Sequence, residues 1–210
     1  MQNSQNRVQW VYSSATNQEL EARYDQWAAD YDKDLDDDFG WVSPRKTAEV
    51  LARHVPVNAR VLDAGAGTGL VGEELRRLGF QDIHAMDLSL GMLEEARSKG
   101  VYRDLRQMAL GSTLDYETDS FDAVISVGVF TEGHAPPQGF DELARITRRD
   151  GLIVFSLRLD LFEQGGFKEH QAQLEKSGKW KQVELSDTFQ PLPKGEPEML
   201  HRVWVYRVTA

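Results

Sequence analysis

Arg60-Val61-Leu62-Asp63-Ala64-Gly65-Ala66-Gly67-Thr68-Gly69 joins a short apolar stretch to three glycines at alternate positions, with a helical pattern following. The run reads as strand, turn and helix, the corner at which α/β proteins hold nucleotides. Glycine permits positive φ angles and leaves no Cβ between the backbone and a ligand, so the main chain at 65–69 can pass closely under a ribose or a carboxylate. A dinucleotide fingerprint G-x-G-x-x-G would need glycine at position 70, but Leu70 stands there and the pattern is G-x-G-x-G. Twenty residues beyond Gly67, Ile83-His84-Ala85-Met86-Asp87 reads as a second short strand ending in a carboxylate. An acid at the tip of the second strand of such a fold accepts hydrogen bonds from vicinal ribose hydroxyls.

Outward from this corner, helix and strand periods alternate. Leu20, Tyr24, Trp27, Ala28 and Tyr31 recur at helical spacing and predict an amphipathic helix over about 17–30 with an aromatic face. A second helix is predicted from Ser43, read as its cap, with Pro44 at the first helical position, to about His54. Further helices are predicted over about 69–78, 89–99 (capped by Ser89), 139–147 and 167–177, and strands over 60–64, 83–87, 106–110, 121–127 and 152–157, with 148–151 as a turn. The run 121–127 is the strongest strand and is expected at the centre of the sheet. Two extended segments, 180–185 and 200–208, suit an antiparallel hairpin. The fold class expected is α/β, a doubly wound, mostly parallel seven-stranded sheet with an antiparallel C-terminal end. One domain over 1–210 is expected, with 1–55 as an N-terminal helical lid segment.

Composition sets outer limits. The chain has 210 residues, a net charge of −10 and no cysteine. The charge argues against a nucleic-acid partner, because phosphates need a basic face. Without cysteine there is no disulfide, thiolate metal site or cysteine nucleophile. The opening Met1-Gln2-Asn3-Ser4-Gln5-Asn6-Arg7 has no basic-then-apolar signal, and no run of 18 apolar residues exists, so a cytoplasmic protein with no membrane partner is expected. The acids at 30, 32, 34, 36, 37 and 38 read as a solvated stretch, with no metal expected.

The glycine run with Asp63 before it resembles motif I of the class I S-adenosylmethionine-dependent methyltransferases. Asp119-Ser120-Phe121-Asp122-Ala123-Val124-Ile125-Ser126 is similar to that family's fourth motif, and Arg149-Asp150-Gly151-Leu152 to its turn before strand five. Val127-Gly128-Val129-Phe130-Thr131-Glu132-Gly133-His134 and Gly178-Lys179-Trp180 resemble the methyltransferase-like proteins named after the Williams–Beuren region. The resemblance covers about 20–208 and implies S-adenosylmethionine as cofactor, S-adenosylhomocysteine as product, and a Rossmann-like fold. It departs from the family near Leu110, where the acid that contacts the adenine amine is absent, which leaves the adenine edge to backbone.

In such a fold the strand ends open one crevice where strand order reverses. Asp63, Gly65, Ala66, Gly67, Gly69, Asp87, Leu110 and residues 126–130, Val127 among them, are expected there. Met86 and Leu88 flank Asp87 and either cover the adenine faces or pack in the core. Methyl transfer from a sulfonium is an in-line displacement that asks mainly for alignment and exclusion of water. A proton-bearing acceptor gains from a general base, and His134, with Glu132 to orient or replace it, is the candidate; the alternative is a loop histidine bonded locally. Tyr24, Trp27, Tyr31, Phe39 and Trp41 form either an aromatic lid over the acceptor or a helix face packed on the sheet. Arg158 either binds an acceptor carboxylate or lies on the surface. The function expected is methyl transfer to a small-molecule acceptor by a monomer or weak dimer. The alternatives are a non-catalytic cofactor-binding regulatory module and a nicotinamide-dependent oxidoreductase; the latter is disfavoured because Tyr102 has no lysine partner at helical spacing.

Overall fold

The structure is a computed structural model that describes residues 4–131 and 133–210, with side chains from residue 7 onward. In chain order the elements are α1 (Ser4–Tyr12), α2 (Asn17–Asp34), a π turn (Leu35–Phe39), α3 (Ser43–His54), β1 (Arg60–Ala64), α4 (Leu70–Arg77), β2 (Asp82–Asp87), α5 (Leu90–Ser98) and β3 (Asp104–Gln107). These are followed by β4 (Phe121–Ser126), α6 (Gly139–Ile146), β5 (Thr147–Arg158), α7 (Leu159–Gln164), α8 (Phe167–Lys176), β6 (Trp180–Leu185) and β7 (His201–Val208). The strands form one sheet in the order β3-β2-β1-β4-β5-β7-β6, and β4 is central. The pairs among β1 to β5 are parallel, and β7 runs antiparallel to both β5 and β6. The expected doubly wound sheet with an antiparallel end is the sheet observed.

Alternation along the strands builds the core in two layers. Leu62, Val124, Ile153 and Phe155 face the side of the sheet covered by α6 and α8, while Val61, Ile125, Val154 and Val205 face α3 and α4. On the first side Phe140 stacks tilted on Phe130 and Phe155, with ring centroids 4.2 and 4.6 Å apart. These rings are fully buried, and deleting one would cost roughly 3–5 kcal/mol. Among the described residues no helix is long and apolar enough to cross a membrane.

Local chemistry explains the element ends. Thr16 accepts the amide of Glu19 at the start of α2, and Glu19 reaches back to the amide of Ala15, a reciprocal cap. Ser89 caps α5 by accepting the amide of Met92. Ser43 does not cap α3: the helix already includes it, Val42 precedes it, and its hydroxyl is buried. The strand expected at 106–110 lies at 104–107, because the chain leaves the sheet once the amide of Met108 has bonded the carbonyl of Asp87. Residues 148–151, expected as a turn, belong to β5 as an irregular stretch where the register against β4 shifts and Asp150 takes a φ of 63°. Helices α1 and α7 and the π turn have no counterpart in the sequence reading, since each is short and weakly patterned.

Candidate functional site

Between β1 and β4 the connections reverse direction along the sheet, and ligands of open α/β sheets sit beyond the carboxyl ends of the strands at such a point. The glycine turn lies there. The amides of Gly65 and Ala66 donate to the carbonyl of Met86 at 2.8 and 3.0 Å, which folds the turn over the end of β2. The amide of Gly67 donates to Asp87 Oδ2 at 2.8 Å, and the amide of Ser89 to Asp87 Oδ1 at 2.9 Å. Each oxygen of Asp87 thus accepts a backbone bond, with the Leu88 amide also close, and a carboxylate has room for about four. Burial raises the pKa of Asp87, while the amides of Ser89 and Gly67 oppose that shift.

The glycines do different jobs. A Cβ on Gly65 would stand 2.2 Å from Cγ2 of Val129, so this residue lets the loop after β4 pack against the turn. A Cβ on Gly67 would meet nothing within 4 Å, at a φ of 55°, so the turn has an open side here. Gly69 starts α4 in the left-handed region, packed against Tyr102 and Ala96.

The open side faces a cleft with about 850 Å³ of empty space, continuous with solvent. Gly65, Ala66, Gly67, Met86, Asp87, Leu88, Leu110 and Val127 line it, as do Tyr24, Tyr31, Trp41 and His134. Asp63, Gly69, Trp27 and Arg158 are not on its wall. Asp63 is fully buried beneath the turn, where Oδ2 accepts the Tyr102 hydroxyl at 2.6 Å, and Oδ1 has no partner among the described residues. Burial pushes its pKa up to about 7, against the opposing Tyr102 bond. Gly69 lies behind the turn. Trp27 is buried behind the lid, stacked on Tyr24, with its indole N–H on Asp34 Oδ2 at 2.8 Å. Arg158 bonds both oxygens of Asp160, at 3.0 and 2.5 Å, and does not line the cleft. Glu132 and residues 1–3 of the opening segment lie outside the described residues.

Helix α2 covers the cleft, and polar side chains tie it down. Asp25 Oδ1 accepts the Ser89 hydroxyl at 2.6 Å and the Gly91 amide at 2.8 Å at the start of α5. Asp32 accepts the Thr68 hydroxyl and, at 2.6 Å, the Lys99 ammonium. Asp30 and Asp34 both pair with Arg7. Of the acidic run read as solvated, Asp32 ties the lid to the body and Asp30 and Asp34 join α2 to α1, while Asp36, Asp37 and Asp38 are exposed. The π turn and Gly40, at a φ of 61°, then redirect the chain so that Trp41 reaches the cleft beside Gly128. Phe39, read with the lid aromatics, is buried under α1 and α2 instead.

At the far end of the cleft His134 is held from both ring nitrogens. Tyr24 Oη stands 2.8 Å from Nε2, and Thr131 Oγ1 stands 2.9 Å from Nδ1. The sequence reading missed Thr131, Tyr102 and Asp25. Thr131 lies three residues from His134 and was within reach of a local argument; the partners of the other two lie 39 and 64 positions away. It also missed Met92 and Met108 on the cleft wall, which carry no motif.

Residues 62–155 match a family model described as a methyltransferase domain. The chain is 35% identical over 164 residues to human methyltransferase-like protein 27, an alignment covering 75% of this chain and 66% of that protein. It spans half or less of the next curated relatives it matches. A TehB-like S-adenosylmethionine-dependent methyltransferase from Corynebacterium glutamicum superposes with a TM-score of 0.67 at 20% identity, covering 90% of this chain and 99% of that one. The [4+2]-cyclase SpnF superposes with a TM-score of 0.73 at 14% identity, covering 94% and 98%. Both structural likenesses concern the fold alone.

Proposed function

The chain belongs to the class I S-adenosylmethionine-dependent methyltransferases, with S-adenosylmethionine as its cofactor, and from that membership we propose that it methylates a small-molecule acceptor by in-line displacement in the cleft under α2. The observation that carries this reading is the pairing of an open glycine turn with an acid: Gly67 has free space on its cleft side and fixes Asp87 through its own amide.

The residues present fit the cofactor. The backbone at Gly65, Ala66 and Gly67 would pass under its methionine and ribose, and Asp87 has acceptor capacity left for two ribose hydroxyls. Met86 and Leu88 would bracket the adenine, with Leu110 and Val127 beside them. Asp63, with one orphaned oxygen, would support the turn and reach the ammonium group through water. When bound, the cofactor supplies a methyl group on a positively charged sulfur. Tyr24, Tyr31 and Trp41 would exclude water and seat the acceptor, since alignment and desolvation supply most of the acceleration in such a displacement. Trp27 would back Tyr24, and His134, with Glu132 two residues before it in sequence, would serve the acceptor's proton. Arg158 would reach an acceptor carboxylate only by giving up Asp160.

The reading also treats 1–210 as one domain with 1–55 as its lid segment, acting in the cytoplasm as a monomer or weak dimer without nucleic acid. Calorimetric titration with S-adenosylmethionine, S-adenosylhomocysteine and NAD in parallel tests its base. Micromolar binding of both adenosyl compounds and none of NAD is expected, followed by release of S-adenosylhomocysteine in cell extract. Binding without release would favour a regulatory module.

A further inference from the structure

The contact between Tyr24 and His134 spans 110 positions and joins the lid to the loop after β4 along the wall of the cleft. Both side chains line the cleft, and Thr131, behind the imidazole, is buried. The edge of Tyr12 packs on the same ring, with centroids 5.3 Å apart. A neutral imidazole carries one donor and one acceptor nitrogen, and the partner on each decides which is which. A phenol is a stronger acid than an alcohol, so the better pair of bonds has the Tyr24 O–H donating to Nε2 and the Nδ1–H donating to Thr131. With both nitrogens engaged in this way, His134 reaches a bound acceptor through the Tyr24 oxygen. Burial also raises the Tyr24 phenol well above its ordinary range, so a standing phenolate is not the base. A neutral phenol accepts a proton only as it passes its own on.

We propose that Tyr24 and His134 act as one acid–base unit, with Thr131 as the residue that positions it, and that the acceptor is accordingly a hydroxyl- or amine-bearing molecule that still carries its proton. This rests on the methyl-transfer reading. In the step, Tyr24 Oη takes the acceptor's proton while the phenol proton moves to His134 Nε2. The electron pair left on the acceptor's oxygen or nitrogen forms the bond to the methyl carbon, and sulfur keeps the pair of the bond that breaks. The positive charge that leaves sulfur reappears on the imidazolium. A carboxylate acceptor has no proton to give at neutral pH and would leave the unit idle.

The test begins without any added compound. Long-range ¹H–¹⁵N spectra of histidine-labelled protein, with His134 assigned through His134→Ala, report which ring nitrogen holds the proton. The expected result is the Nδ1–H form in the wild type and an Nε2 resonance displaced toward that of an unbonded nitrogen in Tyr24→Phe. Thr131→Val is the second variant, expected to let the ring populate both forms if Tyr24→Phe folds poorly. Release of S-adenosylhomocysteine is then measured against phenols, alcohols, amines and carboxylates. Turnover on proton-bearing acceptors is expected, with kcat down about 100-fold or more in Tyr24→Phe and the Kd for S-adenosylmethionine unchanged. An Nε2–H form in the wild type, a spectrum indifferent to Tyr24→Phe, an unchanged kcat, or turnover of carboxylates alone would overturn the proposal. So would turnover of nothing while both adenosyl compounds bind. Failure of both compounds to bind would instead count against the methyl-transfer reading, and the spectra would still judge the pair.

Discussion

The wall of the cleft formed by residues 65–68 and 86–88 is tied together by backbone amides of the glycine turn and of Ser89, whereas the opposite wall, α2 and the loop after β4, is held by side chains that meet from distant parts of the chain. Backbone bonds at a strand end leave little freedom, so the first wall is built to present a fixed surface. Side-chain bonds between a surface helix and the body cost much less to open, so the second wall is suited to admitting and covering a ligand. On the proposed function, the difference would give cofactor recognition to a rigid element and acceptor chemistry to one that closes.

The sharpest way to break this comparison uses the two glycines of the rigid wall. Gly67→Val is expected to abolish calorimetric binding of S-adenosylmethionine while thermal unfolding stays cooperative, because the added atoms enter the open side of the turn. Gly65→Ala should instead lose stability, since its Cβ collides with Val129; a loss of roughly 1–3 kcal/mol from overpacking, with strain at a φ of 82° in addition, is expected in chemical denaturation. Equal binding losses with no stability difference would erase the distinction between the two positions.

A pH experiment probes how deeply the rigid wall is buried. The folded state holds a proton on Asp63 up to about pH 7, while the unfolded chain releases it near the ordinary value of 3.8. The unfolded state therefore binds fewer protons between these values, and Asp63 makes stability fall as pH rises through that window. The whole penalty, at most about 4 kcal/mol, is present above it. Asp63→Asn should gain in Tm over the wild type on going from pH 5 to pH 8. A constant difference across that range would show that the carboxyl is not held protonated.

Asp87→Ala should weaken S-adenosylmethionine binding by about 1–3 kcal/mol, the scale for hydrogen bonds to a charged group. An unchanged Kd would remove Asp87 from the site. On the opposite wall, Asp25→Ala deletes two bonds between α2 and the start of α5 and is expected to cost about 1–3 kcal/mol in overall stability. Faster amide hydrogen exchange confined to α2 would sharpen the comparison; uniform exchange throughout the chain would blur it.

The rigid wall was legible in the sequence because its determinants are local. Alternate glycines after an apolar run, and an acid at the end of the next run, are decided within a few residues each, and the parallel register brings Ala64 beside Met86. The same local signal put Asp63 and Gly69 on the cleft wall, where the structure has them behind it, since strand alternation and helix packing direct their side chains inward. In the lid, helical spacing identified Tyr24, Trp27 and Tyr31 as one face but could not separate the two that reach the cleft from the one that stacks behind them.

By itself the sequence determined the order of strands and helices, the doubly wound sheet, the glycine corner and its acid, because hydrophobic period and backbone permissiveness act over short stretches. Only the tertiary structure decided that Asp25 and Asp32 anchor the lid, that Tyr102 clamps Asp63, and that Tyr24 meets His134 with Thr131 behind it. Those contacts join residues up to 110 positions apart, and no local preference encodes them. They form because the sheet fixes where β4 ends and where α2 crosses, and burial then requires each polar group to find its partner there.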